Sequence, residues 1–146
     1  MSRVDFYILS DGTGIDRFAC TIAAKAWSIG NRVHIHVPSG EMARKLDDLL
    51  WTFRDISFIP HEIYKEISNV ETPVTIGFGN SFPEQSQVMI NLDSKIPPFT
   101  SNFERIVEIV GGNETDKQHA RQRYRQYKDQ DYETYDHKIN DLKTNG

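Results

Sequence analysis

The stretch KQHARQRYRQYK, residues 117–128, holds five Lys or Arg, two Tyr, one His and no Asp or Glu. Wound as a helix at about 100° per residue, it places Lys117, Arg121, Tyr124, Arg125 and Lys128 within one face about 100° wide. Ala120 and Tyr127 turn to an adjacent side that can pack on a domain. Such a ridge can follow a nucleic-acid backbone with Tyr124 stacked on a base, hold an acidic peptide, or simply stay solvated. A solvated structural face normally interleaves Glu with its cations in i,i+4 pairs, and this run has none, which weighs against the third use. The whole chain carries a formal net charge of −4. The ridge is therefore a local positive feature on an acidic protein, an unusual balance for one built to coat duplex DNA.

Other groups offer weaker chemistry. LSDGTGID, residues 9–16, follows an apolar run and opens a helical one, the place where α/β folds often seat a phosphate on backbone N–H groups. It lacks both the third glycine of a dinucleotide fingerprint and a Gly-Lys-Ser/Thr, so it reads as a tight turn capped by Asp11 or Thr13. His34 and His36 alternate on one strand face, with His61 further along, but no Cys pair or His-Glu-x-x-His accompanies them and no metal is expected. The single cysteine, Cys20, lies mid-helix on a core-facing stripe with Ala23, Ala24 and Trp27, a poor setting for a nucleophile. No catalytic residues and no cofactor are expected. Trp51, Phe53, Phe58 and Tyr64 fall in a connecting segment, where large aromatics either anchor a partner or form a small core under a loop.

The elements that must carry these groups follow from periodicity. VDFYIL (4–9) and RVHIHV (32–37) read as strands, joined by a helix over Ile15 to Ser28 that Gly30 closes. This βαβ unit implies parallel strands and a right-handed crossover. A second helix starts at Ser39 and lines up Met42, Leu46, Leu49 and Leu50. PVTIGF (73–78), QVMINL (87–92) and RIVEIV (105–110) supply three more strands. Asn113, with Asp116 three residues on, suits the N-terminus of the long last helix that bears the basic ridge. The 146 residues, 38% hydrophobic, suit one core, so residues 1–132 are expected to form a single α/β domain and the polar, acidic residues 133–146 a loose tail. One cysteine fits a reducing compartment, and the N-terminus lacks a secretory or membrane-spanning pattern, so a cytoplasmic protein is expected.

Four blocks in order carry a family resemblance: FYIL near the start, ACTIAAKAWSIGNRVHIHV, ARKLDDLLWTFRDISFIPHE, and ARQRYRQYK in the last helix. Together they resemble the chi subunit of bacterial DNA polymerase III, a clamp-loader accessory protein. The resemblance implies a three-layer, Rossmann-like α/β fold, with a mostly parallel sheet and helices on both faces. It also implies a non-catalytic subunit of the polymerase complex that links the clamp loader to single-stranded DNA-binding protein by gripping an acidic C-terminal tail ending in Ile-Pro-Phe. The family's tail site matches Lys117, Arg121, Tyr124 and Arg125 here, with Lys128 on the same face. A second contact, with the psi subunit of the clamp loader, falls on the aromatic segment at Trp51, Phe53 and Phe58. Contact with nucleic acid is then mainly indirect, and no membrane partner is implied. The same ridge acting directly on single-stranded nucleic acid is the alternative.

Overall fold

A computed structural model describes residues 2–10, 12–52, 59–65, 72–84 and 86–139. The chain runs β1 (Arg3–Leu9), α1 (Ile15–Ser28), β2 (Val33–His36), α2 (Gly40–Thr52), β3 (His61–Ile63), β4 (Val74–Gly77), β5 (Val88–Asn91), a 3₁₀ turn (Thr100–Asn102), β6 (Arg105–Val110), α3 (Glu114–Asp129) and β7 (Glu133–Ile139). Among the described residues the strands form one sheet in the order β3-β4-β2-β5-β6-β1-β7, and every neighbouring pair is parallel. The strands β2, β4 and β5 are buried along their whole length, as interior strands of a parallel sheet covered on both faces are.

Side chains alternate between two cores. Val33, Ile35, Val107 and Ile109 face α1 and α2, which add Phe18, Ile22, Leu46 and Leu50. Ala19, Ala23, Ala24 and Ala26 are all buried on α1, and their small side chains let that helix lie close to the sheet. On the other face Val4, Phe6, Ile106 and Val110 pack against Ala120 and Tyr127 of α3 and against Phe99 and Phe103 of the loop before β6. The architecture is a three-layer α/β sandwich, with helices on both faces of the sheet.

Two helix ends show where the sequence signal was plain and where it was hidden. After α1, Gly30 takes φ 96°, its N–H bonds to Trp27 O, and Asn31 N–H reaches back to Ala26 O. This left-handed cap is the one glycine makes easy. After α3 the same motif recurs on a non-glycine: Asp131 takes φ 64°, its N–H bonds to Lys128 O, and Tyr132 N–H bonds to Tyr127 O. The Tyr127 and Tyr132 rings then meet at 5.3 Å, the apolar contact that accompanies such a cap. Asp is among the few side chains tolerated at this φ.

That hidden cap corrects the expected tail. Residues 133–139 are not loose but form β7, paired in parallel with β1 from Arg3↔Glu133 to Leu9↔Ile139. Glu133, Tyr135, Asp136 and Lys138 remain exposed, because β7 lies at the edge of the sheet and has no apolar run to bury. Its backbone bonds and a few polar anchors hold it instead. Residues 140–146 lie outside the described residues.

Candidate functional site

A cleft of about 510 Å³ runs between α3 and β7. Its floor is apolar: Phe6 and Ile8 of β1, Val110 of β6 and Ala120 of α3. Lys117, Arg121, Tyr124 and Arg125 form the helix wall, and Asp136 and Lys138 form the strand wall. Four of the five ridge residues singled out in the sequence thus share one concave surface. Lys128 stands apart from the cleft lining, its Nζ placed 5.7 Å from the centre of the Tyr124 ring. Tyr124 itself packs on Phe6 at 5.5 Å with the rings tilted by 58°, so one side of the aromatic wall is already tied to the floor. Arg121 pairs with Glu114 at 3.3 Å, both side chains being well exposed. An exposed pair of that kind contributes little and yields readily to a better partner.

The helix is set at this angle by a buried polar cluster that the sequence did not disclose. Glu108 of β6 is fully buried and accepts from Arg123 Nε at 2.9 Å, from the Tyr127 hydroxyl at 2.7 Å and from Asn91 Nδ2 at 2.9 Å. Arg123 also donates to Ser94 O at 3.2 Å. Burial raises the pKa of Glu108, while Arg123 and the two neutral donors favour the carboxylate. Burial, reinforced by Glu108, pushes Tyr127 well above its ordinary value, so its hydroxyl stays a donor. At the start of α3 the Asn113 side chain accepts from Asp116 N–H at 2.8 Å, the cap its position indicated.

The opposite wall has its own anchor, on the other side of the sheet. Asp5 of β1 is fully buried and accepts from Arg3 Nη2 at 3.0 Å and Arg105 Nε at 2.8 Å, and His137 Nε2 lies 2.8 Å away. Burial alone would raise the Asp5 pKa, but the hydrogen bonds from Arg3, Arg105 and His137 outweigh it and hold the carboxyl at about 2. His137 stacks on Tyr7 at 4.7 Å, and the Arg3 guanidinium sits 4.3 Å from the centre of the Tyr135 ring. A strand without an aliphatic run is held in place by these contacts.

The remaining candidates are scattered. Trp51, at the end of α2, is 56% exposed with its ring 4.6 Å from His61. Phe53 and Phe58 lie outside the described residues, as does Asp11. His34 is buried against Thr75 Oγ1 at 2.7 Å and stacks on Phe103, and burial, then His36, lowers its pKa to about 3. His36 Nε2 lies 3.4 Å from Asp93, and the His61 Nδ1 lies 2.7 Å from Ile59 O. Burial, then Asp16, pushes the Cys20 thiol up to about 12. In the glycine-rich turn the Thr13 hydroxyl meets Ser10 Oγ at 3.1 Å, and Gly14 caps α1 with no side-chain bond, so Thr13 is not the cap its position suggested. No helix of the described residues is long and apolar enough to cross a membrane.

Comparison with known proteins gives a consistent answer. The family model described as DNA polymerase III chi subunit, HolC, matches residues 1–135. The DNA polymerase III subunit chi of Pseudomonas aeruginosa is 36% identical over 141 residues, covering 95% of this chain and 98% of that protein. Its counterpart from Escherichia coli K12 is 30% identical over 135 residues, covering 88% and 92%. Among solved structures, T4 UvsW superposes with TM-score 0.68 at 7% identity, covering 94% of this chain and 41% of that one. A yeast dbp5 variant bound to gle1 and ip6 gives TM-score 0.57 at 12% identity, covering 96% and 43%. This chain therefore spans about two fifths of the length of those two structures, and at such identities the likeness is one of fold.

Proposed function

This chain belongs to the DNA polymerase III chi subunit family, and from that premise we propose that its α3–β7 cleft grips the acidic C-terminal tail of single-stranded DNA-binding protein. As a member of the family it is an accessory subunit of the polymerase complex. The observation that carries the tail reading is the cleft itself: cations on α3 border an apolar floor, which suits a peptide that is acidic along its length and ends in an apolar residue. In this reading Arg121 pairs with the terminal carboxylate in a fork, Tyr124 walls the terminal Phe, and Lys117 with Arg125 attracts the Asp residues. Trp51, with Phe53 and Phe58, docks the psi subunit or its equivalent and so ties the cleft to the clamp loader. Function is then tethering in the cytoplasm: a tail displayed in many copies on coated template raises the local concentration of the polymerase, even though each contact is weak.

Direct binding of single-stranded nucleic acid by the same ridge is the rival. The geometry is less favourable to it, because Phe6 already packs against the Tyr124 ring on which a base would have to stack. Anisotropy titrations with a labelled Asp-rich peptide ending in Ile-Pro-Phe, and separately with labelled oligo(dT), decide between them. The expected result is peptide binding that weakens as salt rises and is lost in Arg121→Ala. If Arg121→Ala abolished oligo(dT) binding while leaving peptide affinity unchanged, the nucleic-acid reading would stand in its place.

A further inference from the structure

The cleft is electrostatically asymmetric along its length. The β1–β7 register sets Phe6 opposite Asp136 and Ile8 opposite Lys138, while the β1–β6 register sets Ile8 opposite Val110. Because α3 crosses between two parallel strands, it runs back against them, and the Phe6–Tyr124 contact fixes the two in phase. At about 1.5 Å per residue along the helix and about 3.3 Å along the strand, Arg121 lies near the level of Ile8 and Lys138. The end of the cleft toward the strand C-termini therefore has cations on both walls: Lys117 and Arg121 from α3, Lys138 from β7. At the other end Arg125 faces Asp136, and the two signs offset each other.

We infer that Lys138 is a carboxylate-binding residue of this cleft, holding the free C-terminus of the bound peptide together with Arg121 from the opposite wall. This rests on the tail reading of the site given above. Arg121 leaves its exposed partner Glu114 at little cost. The terminal side chain rests on Ile8 and Val110, and because Asp136 offsets Arg125 the Lys117–Arg121–Lys138 end is the more cationic of the two, which gives the peptide its direction. A cation on each side recognises a terminus where a single basic helix face would attract any acidic segment. Lys138 is exposed on an edge strand, so replacing it should leave the fold intact.

The test is a pair of anisotropy titrations with the same Asp-rich nonapeptide ending in Ile-Pro-Phe, N-terminally labelled, as free acid and as C-terminal amide. Lys138→Ala should weaken binding of the free acid about fivefold, and Lys138→Glu about tenfold or more, while Lys138→Ala leaves both the affinity for the amide and the Tm of the protein unchanged. Asp136→Asn should strengthen binding of both forms slightly. Unchanged affinity of Lys138→Ala for the free acid would overturn the inference. So would an equal loss for acid and amide, which would reduce Lys138 to diffuse attraction. Failure of the wild-type protein to bind either form would instead bring down the tail reading on which the inference rests.

Discussion

Arg121 and Tyr124 on one side of α3, and Arg123 and Tyr127 on the other, are the same residue types in nearly the same order, yet they are used oppositely. The first pair lines an open cleft, with Arg121 paired to the exposed Glu114. The second pair converges on one buried carboxylate, Arg123 at 2.9 Å and Tyr127 at 2.7 Å from Glu108. A guanidinium whose partner is buried holds the fold, whereas one whose partner is in water is available to a ligand. The contrast teaches that a basic helix must be divided by what lies beneath it before its cations are counted as a binding surface.

The comparison is broken most sharply by removing one member of the buried cluster. Arg123→Ala leaves the Glu108 carboxylate buried without its charged partner, and Glu108→Ala strands Arg123 likewise. Either should cost about 3–5 kcal/mol in urea unfolding, the usual penalty for one half of a buried pair. Replacing Glu108 and Arg123 together by Met and Leu should cost much less than the sum of the single changes. Arg121→Ala should shift unfolding by no more than about 0.5 kcal/mol. Similar losses for Arg121→Ala and Arg123→Ala would erase the distinction between the two sides.

The anchor of β7 gives a second, smaller effect that depends on pH. The folded Asp5 pKa of about 2 lies below the ordinary carboxylate value. Its stabilisation is therefore complete above about pH 4 and disappears as pH falls through about 2, for a total of about 2 kcal/mol. Asp5→Asn should accordingly be destabilised at neutral pH, and the gap between it and the wild type should close in thermal melts taken toward pH 2. A gap that widened under acid would mean that Asp5 is not held as a carboxylate by Arg3, Arg105 and His137.

On the ligand side, Arg121→Ala should weaken the acidic tail peptide about tenfold or more, and Arg123→Lys, if folded, should weaken it far less. This pairing sharpens the comparison because both variants alter one guanidinium on one helix. It also shows what the sequence could and could not disclose. The ridge was legible because helical spacing alone puts Lys117, Arg121, Tyr124 and Arg125 on one face. Ala120 and Tyr127 were legible as the packed side, but Arg123 was not: its partner Glu108 sits in an apolar strand where nothing local announces a buried acid. The strand wall was hidden for a different reason. β7 is an edge strand without aliphatic spacing, entered through a left-handed Asp131 where glycine would have marked the turn. The three-residue β3 was missed because HEI is too short to show a period. By contrast, α1 ends where Gly30 indicates, and the interior strands follow the apolar runs that forecast them.

The smallest expected effect on the protein alone is at Trp51. Its ring leans on His61 at 4.6 Å, but more than half of the side chain faces solvent, so Trp51→Ala should lower stability by about 1 kcal/mol or less. The proposed role of Trp51 is to occupy a pocket on psi, and a large aromatic at the centre of an interface can supply much of the binding energy. The same substitution should therefore abolish co-elution with a psi-containing clamp loader while leaving the affinity for the acidic tail peptide within about twofold of wild type. Because Trp51 and the α3–β7 cleft are carried by different elements, at opposite ends of the strand order, their effects should add independently. A Trp51→Ala protein that lost clamp-loader and tail binding together, with a lowered Tm, would show the ring to be part of the core. It would then be a counterpart of Tyr127, and the adaptor would have only one docking site.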